Sequence, residues 1–244
     1  MEVAPSVTRL GSPLVNWYVV VEDGHVTVVD AGAPGYRPQL DGALQSLGRR
    51  LQDVEAVVLT HAHADHVGVA EMLRRETGAR VFVHADDEQL ATTGKAIGKN
   101  EGPFLPYLRH AAAWKLLWEL GRNGALRVRA IHDVTTFTDG EQLDVPGRPR
   151  VVQTPGHTPG HCALVFSESG VVFVGDALCT YNPLTGTRGP QLMPKAFTRN
   201  LHQANTSLDR LAEVEAASVL PGHGEPWTDG AKAAAEQARL TGPT

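Results

Sequence analysis

Cysteine pairs, basic stripes and long apolar runs are what this chain has least of, and each shortage removes a class of protein. Only two of its 244 residues are cysteine, Cys162 and Cys179. That is too few for a disulfide framework and fits a reducing, cytoplasmic setting. Lys and Arg form no stripe and the net charge is −5, so nucleic acid is not an expected partner. No apolar run approaches the length of a membrane span. The opening "MEVAPSVTRLGSP" has neither a basic region nor an apolar core, so no signal peptide is expected. Linker-like and low-complexity segments are missing too. With 42% hydrophobic residues, 1–244 reads as a single domain with a sizeable core.

What is present is a run of β and helical patterns in alternation. "LVNWYVV" and "HVTVVDAG" are β-rich and joined by "EDG", which predicts a hairpin. "YRPQLDGALQSLGRRL" has helical spacing, "EAVVLT" (55–60) reads as a buried strand, and "GVAEMLRRETG" as a helix closed by Gly78. "ARVFVH" is a further strand. Residues 86–124 differ: they form a helical, apolar, cap-like insert carrying Tyr107, Trp114 and Trp118. The β pattern then returns in "VRAIHDV", "EQLDV", "RVVQT" and the hairpin "HCALVFSESGVVFVGDAL". Residues 195–215 read as helix, "ASVLPGHG" as a strand ending in a loop, and 229–240 as a closing helix. Strands feeding helices in both halves give an α/β class with mixed sheets and helices outside.

The densest chemistry lies in "THAHADH", where His61, His63, Asp65 and His66 follow directly on a strand. Imidazole and carboxylate at this density are metal ligands by default. His61 and His63 stand at i, i+2, and share a direction only on extended chain, unlike the i, i+4 pair of a zinc-binding helix. Asp65 and His66 are adjacent and suit a loop turning into a helix. One loop cannot close a metal site alone. Three more strand ends offer partners: His157 in "TPGHTPGH", Asp176 in "VGDAL" and His223 in "LPGHG". Each is an apolar run stopping at glycine beside a ligand-type residue, where the backbone can approach closely.

These motifs, in this order and with "VVDAG" at 28–32 before them, resemble the metallo-β-lactamase-fold hydrolase superfamily, in its glyoxalase II-like and lactonase-like branch. The resemblance covers nearly the whole chain. It implies an αββα sandwich of two mixed β-sheets flanked by helices, with metals at one edge. By motif, His61, His63 and His157 would hold one metal and Asp65, His66 and His223 a second. Asp176 would bridge them, and Asp30 would support the ligands. Two Zn²⁺ ions are the expected cofactor, with iron, manganese or cobalt as alternatives. Asp65 and Asp176 are the expected catalytic carboxylates, and metal-bound hydroxide the nucleophile, so no serine or cysteine nucleophile is required.

Other residues carry weaker signals. His161 begins a strand four residues after His157 and reads as a structural hydrogen-bonding group, with contact to the ligands or substrate as the alternative. Lactonases of the superfamily place a tyrosine shortly after the bridging aspartate; Tyr181 sits five residues on rather than three. Trp114 and Trp118 read as core packing or as part of a substrate wall. His25, His84, His110, His132 and His202 have no ligand-like setting, Cys162 reads as core, and Cys179 as a neighbour of Asp176. The expected partner is a small molecule, with no membrane and with a homodimer left open. The expected activity is hydrolysis of a small carboxylic ester, lactone or thioester. Lactones or esters with an apolar tail stand ahead of glutathione thioesters, since the insert shows no basic cluster for a glutathione carboxylate. Alternatives are a single-iron oxidoreductase like the persulfide dioxygenases, a β-lactamase-like amide hydrolase, or a silent binding module on the same fold.

Overall fold

The computed structural model describes residues 1–94 and 102–243. The edge strand β1 (Glu2–Ala4) pairs antiparallel with β2 (Val7–Gly11). β3 (Asn16–Glu22) and β4 (His25–Val29) form the predicted hairpin. Its turn residues Asp23 and Gly24 both have positive φ, 49° and 87°, the conformation that matches a two-residue turn to the twist of its strands. Helix α1 (Arg37–Ser46) leads to β5 (Val54–Val58), and α2 (Ala70–Thr77) ends as predicted at a left-handed Gly78 before β6 (Arg80–His84).

Within the insert, α3 (Glu88–Thr93), a 3₁₀ turn at Leu105–Arg109 and α4 (Ala111–Arg122) are helical; its residues 95–101 lie outside those described. The strand expected over 128–134 is corrected. That stretch is irregular, with Ile131 buried, and pairing begins only at β7 (Thr135–Phe137). "EQLDV" (141–145) is likewise not a strand. Leu143 and Val145 alternate inward to the core, but only Gln142 pairs, with Arg150. Residues 128–134 have the apolar residues of a strand but lie in none, whereas 141–143 do bond to 149–151, through Val151 N–H to Glu141 O and Leu143 N–H to Pro149 O, over too few residues to make a strand.

Strands β8 (Arg150–Gln153), β9 (Cys162–Phe166) and β10 (Val171–Gly175) follow, with the predicted β9–β10 hairpin in place. β11 (Cys179–Tyr181) and β12 (Arg188–Gln191) make a separate two-stranded ribbon. The helix expected over 195–215 is shorter. A 3₁₀ turn at Lys195–Phe197 precedes α5 (Leu201–Ala212), whose start is capped by Asn200 accepting from the Gln203 amide. β13 (Ser218–Pro221) and α6 (Ala231–Thr241) close the chain. No helix among the described residues is long and apolar enough to cross a membrane.

The strands form a seven-stranded sheet, β1 to β7 in order, and a four-stranded sheet in the order β13-β10-β9-β8. Pairings β4–β5, β5–β6, β6–β7 and β10–β13 are parallel, so both sheets are mixed. The sheets pack face to face through one cluster that includes Tyr18, Val58, Phe82, Leu164 and Phe173. A second cluster packs α1 and α2 on the outer face of the larger sheet, and a third packs α5 and α6 on the smaller. This is the αββα layering. Each Val, Leu or Phe so buried contributes roughly 1.5–3 kcal/mol, enough in sum to offset a concentration of buried polar groups at one edge.

Candidate metal centre

That edge is where β4, β5, β8, β10 and β13 end. After β5 the chain bends at Thr60 and runs without helix through His63, which brings His61 and His63 into one group, then turns so that the His66 amide bonds the His63 carbonyl at 3.0 Å. The turn is gripped by the loop after β4: Ala31 N–H donates to His66 O (2.6 Å) and Gly68 N–H to Gly32 O (2.8 Å). The structure brings all seven candidate ligands together. Three groups have ligand atoms within 4.8 Å of one another: His61, His63 and His157; His61, His66 and Asp176; Asp65, His66 and His223.

Asp176 is common ground. Its Oδ2 lies 3.2 Å from His223 Nε2, 3.3 Å from His157 Nε2 and 3.9 Å from His61 Nε2; its Oδ1 lies 3.6 Å from His66 Nε2. Asp65 Oδ2 sits 3.7 Å from His223 Nε2 and 4.0 Å from His66 Nε2.

The donor set fits a divalent cation. Buried His61 Nε2, His66 Nε2, His157 Nδ1 and Asp176 Oδ1 have no hydrogen-bond partner among the described residues. Each such group costs about 1–3 kcal/mol if left unsatisfied; His61 Nε2, His66 Nε2 and Asp176 Oδ1 belong to one cluster, toward which His157 turns its other nitrogen, Nε2, and a cation there would satisfy them together. Charge agrees. Burial, then neighbouring imidazoles, hold His61 well below the usual histidine range, and burial does the same for His157, so both are neutral ligands at neutral pH. Burial also opposes charge on His66, but Asp30, Asp176 and Asp65 outweigh it and lift this group to about 10. His223 is raised as well, Asp176 outweighing burial. Asp176 is held well below the carboxylate range: burial opposes this, and His223, His66 and His157 prevail.

Around the ligands lies an orienting shell. Asp30, itself at φ 58°, accepts from the Thr60 amide (2.8 Å) and hydroxyl and takes His66 Nδ1–H at 2.9 Å, which leaves His66 Nε2 facing Asp176. His161 joins no ligand group. Its Nε2 accepts from the Asp176 backbone N–H at 2.9 Å, so Nδ1 carries the proton and donates to Thr154 Oγ1, also 2.9 Å. Burial pushes His161 down to about 3, which keeps it neutral for that role. His223 Nδ1–H donates to the Leu14 carbonyl. Cys162 and Cys179 are free, buried and outside the ligand groups.

Two orienting residues carry no sequence motif. Asp87, fully buried after β6, accepts from Ala62 N–H (3.2 Å), Thr158 O–H (2.6 Å) and Gly160 N–H (2.8 Å). It ties the His61–His63 loop to the His157 loop. Asn16 on β3 donates to the Pro221 and Gly224 carbonyls at 3.0 and 2.6 Å, and so holds the loop carrying His223. A buried acid just past a strand end was the one available signal for Asp87; nothing in the pattern of β3 marks Asn16.

The insert packs beside this edge. Ala113 and Leu116 join Leu184 and Ala196 in a small core, with Phe104, Tyr107 and Phe197 against it. Trp114 and Leu117 face outward, and Trp114 Nε1–H donates to the Leu108 carbonyl. Trp118, also exposed and with Arg122 over its ring at 4.5 Å, lines the rim of a cleft of about 650 Å³ with Tyr181, Trp227, Lys115 and Arg188. The insert therefore does meet basic groups, since Lys115 of α4 and Arg188 of β12 come together only through the fold.

Comparison with known proteins agrees with this geometry. Residues 11–223 match the Metallo-beta-lactamase superfamily, and the chain belongs to that family. It is 29% identical over 244 residues to the probable metallo-hydrolase YflN of Bacillus subtilis, covering 93% of this chain and 87% of that one. A hydroxyacylglutathione hydrolase of Cereibacter sphaeroides is 31% identical over 166 residues, 67% of this chain and 48% of that enzyme. The crystal structure of a metallo-beta-lactamase family protein from Thermus thermophilus superposes with a TM-score of 0.69 at 32% identity, covering 97% of this chain and 79% of that one. The chain is thus a metallo-hydrolase of this superfamily with candidate His/Asp sites for divalent metal.

Proposed function

We propose that this chain is one catalytic domain, with residues 86–124 as its cap, and that it hydrolyses a small carboxylic ester, lactone or thioester with two zinc ions. The observation that carries this reading is the gathering of six His and Asp side chains around Asp176, with buried His61 Nε2, His66 Nε2 and Asp176 Oδ1 unpartnered among the described residues. His61, His63 and His157 would hold one ion, Asp65, His66 and His223 the other, and Asp176 both. When bound, the metals supply Lewis acidity, lowering the pKa of water toward about 7 and polarising a carbonyl.

The remaining work falls to the chain. Asp30 and the Leu14 carbonyl keep the Nδ1 protons of His66 and His223, so both Nε2 atoms stay available. His161 fixes the peptide of Asp176 and hence the direction of its carboxylate. Asp65 has the most exposed side chain of the acids here, at 17%. It is placed to pass a proton between solvent and the leaving group. Neither cysteine takes part.

Metal analysis with a panel of esters, lactones and thioesters tests the reading. Close to two zinc ions per chain and turnover of at least one class are expected. One iron and no zinc would overturn it in favour of the single-iron oxidoreductase, and turnover only of β-lactams in favour of an amide hydrolase.

A further inference from the structure

The cleft beside the metal loops has a charge balance that the proposed chemistry does not use. Four of its lining residues are charged: Lys115, Arg188, Glu119 and Glu225. Both acids are already neutralised by cations from outside the lining. Glu119 accepts from Arg122 Nε at 2.9 Å and from the Tyr36 hydroxyl at 2.5 Å, and Glu225 accepts from Arg9 Nη1 at 2.7 Å. Lys115 and Arg188 have no carboxylate partner among the described residues. Arg188 lies over the Tyr181 ring at 5.5 Å, which orders its guanidinium without consuming its donors. Trp227 adds a second indole to the same lining. The cleft thus offers donors and positive charge among aromatic walls, at a volume suited to a small organic ligand.

Its position ties it to catalysis. Thr180 and Tyr181 continue the strand end of Asp176, Gly224 to Trp227 continue the loop of His223, and Leu14 is the residue whose carbonyl takes the His223 Nδ1 proton. A molecule held there lies against the two loops that present Asp176 and His223.

We propose that this cleft takes the anionic end of the substrate, a carboxylate on an apolar or aromatic body, with Lys115 and Arg188 binding the carboxylate and Trp118 and Tyr181 flanking the body. The inference rests on the hydrolase reading and narrows it to acyl compounds that carry a free carboxylate.

The test uses the metal-loaded full chain. Calorimetry and tryptophan fluorescence would follow titration with 3-phenylpropionate and, as the uncharged counterpart, 3-phenylpropanol. The carboxylate should bind saturably and at least about tenfold more tightly than the alcohol, as expected for hydrogen bonds to a charged group. A Lys115→Gln/Arg188→Gln double variant should lose about that factor for the carboxylate while keeping its metal content and circular dichroism. Equal binding of acid and alcohol, or an undiminished affinity in the double variant, overturns the proposal; the latter would place the carboxylate on the metals instead.

A second arm compares kcat/KM for a p-nitrophenyl ester bearing a free carboxylate with that for its methyl-capped form. The ratio should exceed one in the wild type and fall toward one in the double variant. Ester turnover with charge-blind binding would sink the cleft and spare the hydrolase. Binding that depends on Lys115 and Arg188, with no turnover of any ester, lactone or thioester, would do the reverse.

Discussion

Gly222 shows how little room the centre leaves. A Cβ there would stand 2.2 Å from Asp176 Oδ1 and 2.7 Å from His66 Cε1, inside contact distance of two ligands of one group. Retreat is restricted, because the Asp176 backbone is held by His161, its Oδ2 by His223 and the His66 ring by Asp30. Gly222→Ala should therefore displace ligands, lose most of the bound metal and destabilise the fold by about 1–3 kcal/mol, the usual range for overpacking. Metal analysis beside a thermal melt checks this; wild-type metal content in the variant would contradict it. The two histidines of "TPGHTPGH" should separate just as clearly. His157→Ala should abolish metal retention at its group. His161→Ala removes the acceptor of the Asp176 N–H and the donor to Thr154 Oγ1, at about 1–3 kcal/mol for each buried group left unpaired, and should keep most of the metal. Equal metal loss in both would mean His161 does more than orient Asp176. The ligands were legible in the sequence because metal chemistry restricts residue type and places them at strand ends. Asn16 and Asp87 were not, because a hydrogen bond to a remote backbone leaves no local pattern.

Among the elements, the centre depends on which loops are tied to which. Asp87 contacts only the loop after β5 and the loop after β8, whereas Asn16 contacts only the loop after β13. All three groups facing Asp87 are donors. Asp87→Asn would turn an amide N–H₂ toward at least one of them, loosening the His61, His63 and His157 group while leaving the Asp65, His66 and His223 group anchored. Competition with a chelator should show one of two metals weakened by roughly 10–100-fold and the other nearly unchanged. Equal weakening of both, or of neither, would refute the clamp. Most strands and helices were legible from period and punctuation, as with Asp23–Gly24 and Gly78. The exceptions have separate causes. Residues 128–134 bury Ile131 but join no strand, and 141–145 bury Leu143 and Val145 and bond to 149–151 over too short a stretch to count as one. Strands β1 and β2 escape a pattern reading for another reason: both are paired but carry little apolar pattern. The face that α4 turns to the cleft was also beyond periodicity, since Leu116 and Trp118 both fit an apolar stripe and only the packing separates them.

At the scale of the whole molecule the centre joins two sheets. His61, His63, Asp65 and His66 come from the end of a strand in the seven-stranded sheet, and His157, Asp176 and His223 from ends in the four-stranded one. Metal bound to both sets would act as a staple between the layers, and binding only the folded state would stabilise it by about 2.7 kcal/mol when free metal exceeds its Kd a hundredfold. Stripping metal with a chelator should lower Tm, and adding zinc back should restore it. Protons must move in the same step. In the metal-free protein His66 has a pKa of about 10, above the ordinary ~6.5. It therefore keeps its proton at neutral pH. That contribution to metal-free stability is fully present below pH ~6.5 and fades as pH rises through about 10. Metal at His66 Nε2 displaces this proton, so uptake should release about one proton or more near neutrality and apparent affinity should rise with pH. Calorimetric zinc titrations in two buffers of different ionisation enthalpy measure that release. Zero release, or net proton uptake, would show that His66 is not the ligand its contacts with Asp30 and Asp176 prepare it to be.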